Sequence, residues 1–239
     1  MANLQGRVIA AHGGLPRWEQ LSKVRAHLVQ GGVLWALKGN EGAIDDVWVN
    51  VDLHTQFTSH APIGGPARHS VFRGDYVAIE NENGGIVEEL KNPRDSFADH
   101  TFDTPWTTLQ LAYFAGYAMW TYLTTPFAFA LPGFRAEELT PWEEAGETWQ
   151  RLKVTYPPAI ATHNAEQIFY FGDDGLLRRH DYTAEVIKAG PAAHYTTDHW
   201  EVDGIMVPTK HRVYPSNPDG SVNAEPLLVA IDLDDIAFE

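Results

Sequence analysis

The chain has 239 residues, a formal net charge of −15 and no cysteine. That charge excludes a nucleic-acid partner, which needs clustered Lys and Arg, and an anionic membrane surface. The lack of cysteine excludes thiolate nucleophiles, disulfides and thiolate-bound zinc or iron–sulfur centres.

At the start, MANLQGRVIAAHGG shows no charged segment followed by the apolar core of a secretory leader, so a cytoplasmic location is expected. Residues 16–30 place Trp18, Leu21, Val24 and Leu28 at three- and four-residue spacing, between Pro16 and the pair Gly31-Gly32. This spacing predicts an amphipathic N-terminal helix, with His27 beside its apolar stripe. The period then becomes two. Val47, Val49, Val51, Leu53 and Phe57 alternate with Trp48, Asn50, Asp52, His54 and Gln56. One long half-buried strand follows from this, with His54 and His60 on its polar face. Turns are expected at 62–66 and 83–85, and a bend at Gly74 inside HSVFRGDYVAIE. In the loop 91–103, Asp99 and His100 form a candidate acid/base pair, while Asp103 is accounted for by the helix N-terminus it precedes.

Residues 104–134 carry no formal charge. Such a length raises the question of a membrane span. The interspersed Thr, Tyr and Gln, the prolines at 105, 126 and 132, and the absence of a flanking basic cluster argue against one. The run reads as a central helix begun at Thr104-Pro105 and stopped at Thr125-Pro126. It is apolar on every side, and a helix of that kind is buried on every side. Thr140-Pro141-Trp142-Glu143 then reads as a short capped turn. After it come strands: TWQRLKVTY, a hairpin EQIFYFG–LLRRHDYTAEV turning at Asp173-Asp174-Gly175, a hairpin AAHYTTDHWEV–IMVPTKHRVY turning at Asp203-Gly204, and a last strand in PLLVAIDLDDIAF. Sequential hairpins make an antiparallel meander.

The segment QIFYFGDDGLLRRHDYTAEV followed by DHWEVDGIMVPTK resembles the periplasmic lipoprotein-carrier (LolA-like) superfamily and its mycobacterial lipoprotein relatives, over about residues 165–213. The resemblance implies a wide, strongly curved antiparallel half-barrel closed by helices over an apolar cavity that accepts lipid chains. The family offers no shared catalytic set to carry over. The expectation is an α+β fold, one domain over 1–239. It is a strongly curved antiparallel half-barrel wrapped around a central apolar helix, with the amphipathic helix at its N-terminal side.

No phosphate-binding glycine loop, dinucleotide fingerprint, HExxH or nucleophile-elbow motif is present, so no cofactor is expected. Strand parity in LLRRHDYTAEV puts Arg179, Asp181, Thr183 and Glu185 toward solvent, and Arg178, His180, Tyr182, Ala184 and Val186 on the other face, so that His180 and Tyr182 point inward in line with Ala184 and Val186. An inward imidazole and phenol suit general acid–base work; they suit a satisfied polar core equally. Parity separates His194 from His199, and His54 stands far from His60 along a strand, so no metal site is expected. The eight Trp, nine Tyr and eleven Phe suit a cavity for an apolar ligand, with Phe72, Trp106, Tyr113, Tyr117, Trp120, Phe169 and His194 as its expected lining. Three functions fit. The first is an enzyme using His180, Tyr182, Asp99 and His100 for cofactor-free cyclisation, isomerisation or dehydration of a polyketide-like or lipid-like substrate. The others are a non-catalytic carrier of an apolar small molecule and an interaction domain without ligand.

Overall fold

The computed structural model describes residues 3–239. A first helix, α1 (Leu4–Ala11), is capped by the Asn3 side chain, which accepts from the Gly6 amide at 2.9 Å. Short turns of helix follow at α2 (Leu15–Trp18) and α3 (Leu34–Leu37). The first half of the sheet is β1 (Lys23–Gly31), β2 (Asp46–Asp52), β3 (Thr58–Ala61), β4 (Arg68–Arg73), β5 (Tyr76–Asn81) and β6 (Ile86–Lys91). After the long helix α4 (Thr108–Thr124) come β7 (Arg135–Glu144), β8 (Glu147–Thr155), β9 (Glu166–Phe171), β10 (Leu177–Tyr182), β11 (Ala192–Val202), β12 (Ile205–Pro215) and β13 (Val229–Phe238).

All 13 strands belong to one open sheet in the order β6-β5-β4-β3-β2-β1-β13-β12-β11-β10-β9-β8-β7, antiparallel throughout. Two meanders therefore meet where β1 pairs with β13, Leu28 opposite Leu233. The edge strands β6 and β7 are joined in sequence by the segment that holds α4. That connection carries the helix back across the half-barrel, against β2–β6. Residues Leu109–Thr124 are all buried. The helix lies close enough to β4 that a Cβ on Gly116 would come within 2.6 Å of the Phe72 ring, which is why glycine stands there. Trp120 donates from its indole to the Asp52 and Thr55 carbonyls, at 3.1 and 2.9 Å, fixing the rotation of α4.

Several local expectations change, the bend at Gly74 among them, which is a hairpin turn that sets Arg73 of β4 opposite Tyr76 of β5. Residues 23–31 are a strand, not part of a helix over 16–30, and the N-terminal helix lies earlier, at Leu4–Ala11. Val24 and Leu28 fit either period; Ala26 between them, buried like both, satisfies period two once β2 and β13 pair on either side. His60 is buried rather than on a polar face, because the chain reverses before it and β3 pairs back on β2, with His60 opposite Val49. The helix begins three residues later than Thr104-Pro105 suggests, since Thr107 and Gln110 form a reciprocal capping box. The stop at Thr125 stands. Residues 140–143 belong to β7, an edge strand with a register shift between Leu139 and Trp142, where Pro141 costs no ladder bond.

Arg179 is the sharpest difference. It is fully buried, not solvent-facing. Its guanidinium pairs with both oxygens of Asp181 at 2.6 and 2.8 Å and with Glu144 at 2.7 Å, and it donates to the Gly220 carbonyl at 2.8 Å. The rings of Trp142, Tyr170 and Tyr195 surround it. Sequence parity separated Arg179 from His180 but could not see that Trp142 from β7 and the loop at Gly220 cover Arg179. Nor could it see that a register shift between Leu177 and Arg179 leaves Arg178 half-buried and paired with Asp174.

Candidate functional site

The C-terminal turns of α4 meet β9–β12 through polar rings instead of aliphatic side chains. Tyr122 is the joint. Its hydroxyl lies 3.0 Å from the Tyr182 hydroxyl and 3.1 Å from Nε2 of His163. His163 stacks on Tyr182 with ring centroids 3.8 Å apart, and Tyr122 packs on both His194 and His211. Register brings these together: His180 is opposite His194 on β11 and Phe169 on β9. His163, His180, His194 and His211 are all buried.

The bonding fixes proton positions. His211 Nε2 faces the Pro208 carbonyl at 3.0 Å and must donate, so its Nδ1 accepts from His194 Nε2 at 2.8 Å. Gln167 donates to the Thr162 hydroxyl at 2.5 Å and the Asn164 carbonyl at 2.8 Å, leaving its carbonyl oxygen to accept from His180 Nε2 at 2.6 Å. Every imidazole in the cluster is neutral. Burial drives the affinity of His163, His180 and His194 for a proton well below the ordinary histidine range, and takes His211 down to about 4 against the opposing pull of the Pro208 carbonyl. Burial likewise raises Tyr117, Tyr122 and Tyr182, which stay as phenols.

Beside this cluster an open cleft of about 1000 Å³ separates the ends of the first meander from the β8–β9 connection. One wall is Phe57, Arg73 and Arg94; the other is Pro157, Pro158 and Ile160; Tyr113 and Thr162 lie at its floor. Arg94 bridges the walls. It donates to the Thr162 carbonyl at 2.8 Å and the His163 carbonyl at 3.1 Å, and forms an ion pair with Glu185. Gln56 makes a second bridge, donating to the Ala161 carbonyl at 2.7 Å and accepting from the Ala161 amide at 2.9 Å.

Of the residues named from sequence, His180, Tyr182, Phe169 and His194 come together in the buried cluster, with Phe169 stacked on His180 at 4.1 Å. Asp99 is exposed and His100 half-buried at the other end of α4, where His100 accepts from Gln110 at 3.3 Å. Gln110 and Tyr122 are about 18 Å apart along a helix axis, so the structure does not join the Asp99–His100 pair to His180 and Tyr182. Tyr113 lines the cleft. Tyr117 stands behind it, its ring 5.3 Å from that of Tyr113. Phe72, Trp106 and Trp120 are core, Trp106 against Phe97 and Phe114. Tyr122, His163, Gln167, His211 and Arg94 were missed. Parity held a signal for His211, two residues from inward Val213, and for Gln167, two residues from Phe169 on β9; Tyr122, His163 and Arg94 sit in helix or loop, where no strand period marks them. Among the described residues no group of three or more His, Asp or Glu converges to hold a metal ion, and no helix is long and apolar enough to cross a membrane.

An open antiparallel sheet of this order, curved around one buried helix, is the LolA-like α+β fold. The chain is similar to a DUF1329 family protein from Desulfovibrio piger, with TM-score 0.55 and 10% identity over 99% of this chain and 92% of that one. It is similar to a LolA superfamily protein from Nitrosomonas europaea, with TM-score 0.54 and 11% identity over 100% and 94% of the two chains. A putative outer membrane lipoprotein-sorting protein domain from Vibrio parahaemolyticus aligns with TM-score 0.48 and 9% identity over 99% and 91%. No protein-family model and no curated protein sequence matches the chain. The cytoplasmic location expected from the N-terminal residues is thereby corrected. The solved structures that share this fold include the LolA superfamily protein matched over the whole chain, and that match stands against the expectation drawn from the first few residues.

Proposed function

We propose that the protein binds an apolar, lipid-like small molecule in the cleft between its two meanders and works as an extracytoplasmic binder or carrier. The observation that carries this reading is the cleft of about 1000 Å³ in a LolA-like fold, with Phe57, Pro157, Pro158 and Ile160 in its walls beside Arg73 and Arg94. That volume is at the upper end of small-molecule sites and suits an extended chain. Removing an acyl chain from water supplies the affinity, at about 0.8 kcal/mol per buried methylene. The test is native mass spectrometry of gently purified full-length protein, with extraction of whatever is bound. A co-purifying apolar molecule that competes with an added long-chain ligand is expected; a clean mass together with no saturable binding of any long-chain ligand sinks the reading.

A second reading, acid–base catalysis by His180 with Tyr182, draws on one observation. A hydrogen-bonded chain runs from cleft-lining Thr162 through Gln167 to His180. Against it, His180 and Tyr182 are sealed from the cleft, and a general base must reach its proton directly or through one water. His180→Ala and Tyr182→Phe separate the two. Loss of turnover with binding retained would favour catalysis, whereas a change in affinity alone fits a carrier.

A further inference from the structure

We infer that the ligand carries an uncharged carbonyl oxygen, as an ester or ketone, received behind the cleft floor by Tyr117 and His163. This rests on the binding reading above and deepens it. Both side chains are fully buried, and the Tyr117 hydroxyl and His163 Nδ1 have no hydrogen-bond partner among the described residues. Their rings are 5.0 Å apart and nearly perpendicular. They sit next to cleft-lining residues: Tyr117 packs on Tyr113, and His163 follows Thr162. A buried polar group left unpaired is costly and uncommon, so two together at the edge of a cleft mark where a partner belongs.

Proton bookkeeping makes both of them donors. Tyr182 and Tyr122 share one hydrogen bond, and Tyr122 shares a second with His163 Nε2. Both phenolic protons are used only when Tyr182 donates to Tyr122 and Tyr122 donates to Nε2. The reverse order strands the Tyr182 proton. His163 therefore carries its own proton on Nδ1, and its ring lies 5.0 Å from that of Tyr117, whose hydroxyl is also unpartnered among the described residues. Two neutral donors suit a carbonyl oxygen. They do not suit a carboxylate, whose charge would need a cation, and the nearest guanidinium, Arg94, is engaged by Glu185 and by the Thr162 and His163 carbonyls. The segment above them, 157–165, is held across the cleft by polar bonds from Gln56 and Arg94, with no strand pairing to those elements among the described residues, so these bonds are what an entering group must displace.

The experiment is displacement of a fluorescent apolar dye from the full chain by methyl laurate, laurate and dodecane. Methyl laurate is expected to act at about tenfold lower concentration than either of the others, the value of one to two buried hydrogen bonds. Tyr117→Phe and His163→Phe should each bring the ester several-fold closer to dodecane and leave dodecane unchanged, with near-ultraviolet circular dichroism checking that the fold is kept. Tyr117→Phe alone decides if the histidine variant does not fold. Equal potency of ester and carboxylate, or an ester preference that survives Tyr117→Phe, overturns the inference while the binding reading stands. No displacement by any of the three overturns both.

Discussion

The two meanders grip the same helix by opposite means. On the side of β2–β6, α4 presents Trp120 and Gly116 to a wall of Val49, Val51, Phe72, Val77 and Ile79, an aliphatic and aromatic contact, oriented by the Trp120 indole bonds, with no side chain among these that titrates between pH 4 and 7. On the side of β9–β12 it presents Tyr122 to His163, Tyr182, His194 and His211, where every contact depends on where a proton sits. Apolar packing contributes most per side chain. The polar wall makes its contribution conditional, because four neutral imidazoles without a buried carboxylate beside them can be charged only by losing the fold.

Acid should break the comparison most strongly. A histidine held neutral by burial contributes stability that is complete above its unfolded value of about 6.5 and disappears as pH falls through its folded value. For His211, lowered to about 4, this amounts to about 3 kcal/mol by pH 4, and His163, His180 and His194 shift the same way. The first meander has one such group, His60, also lowered to about 4 by burial. Urea unfolding between pH 7 and 4 should lose several kcal/mol, with β9–β12 amides exchanging before those of β2–β5. Uniform exchange across both meanders would contradict the division.

Trp120→Ala comes next. It empties the apolar wall and removes the bonds to Asp52 and Thr55, for a loss of about 3–5 kcal/mol in denaturant unfolding that is the same at pH 7 and pH 5. Tyr122→Phe keeps the ring and deletes the shared hydroxyl. About 1–3 kcal/mol should go, because His163 Nε2 and Tyr182 lose their partner together. Its cost should change with pH where that of Trp120→Ala does not.

The smallest effect has the opposite sign. His27, on the outer face of β1, donates from Nδ1 to Asp234 at 2.7 Å and from Nε2 to Asp46 at 2.9 Å, which raises its affinity for a proton, the Asp46 bond being the largest cause. Its contribution is present below the unfolded value and lost as pH rises through the folded one. As an exposed pair it is worth under about 1 kcal/mol. His27→Gln should therefore cost a little at pH 6 and nothing at pH 9, in a pH titration of the melting temperature.

The turns and the helix stop were legible in the chain, since Asp-Gly, Asn-Gly-Gly and Thr-Pro act locally. So was the inward side of β10, because Ala184 and Val186 continue the parity of His180 and Tyr182. The site was legible in part. His180, Tyr182 and His194 were found by alternation, but nothing local says that Tyr122 from the helix and His163 from a loop complete their hydrogen bonds. Nor does anything local say that Arg94, before the helix, would tie down the 157–165 segment beside Tyr113.

Sequence alone determined the antiparallel meander and a central helix buried on all sides, for periodicity and turn chemistry are properties of neighbours along the chain. Tertiary structure alone decided that residues 23–31 are a strand, that Arg179 is enclosed, and that the histidines are sealed while the cleft opens beside them. Each of these depends on a partner tens to hundreds of residues away: β13 for β1, Trp142 and Gly220 for Arg179, Tyr122 for His163. No periodicity carries information about a partner that distant.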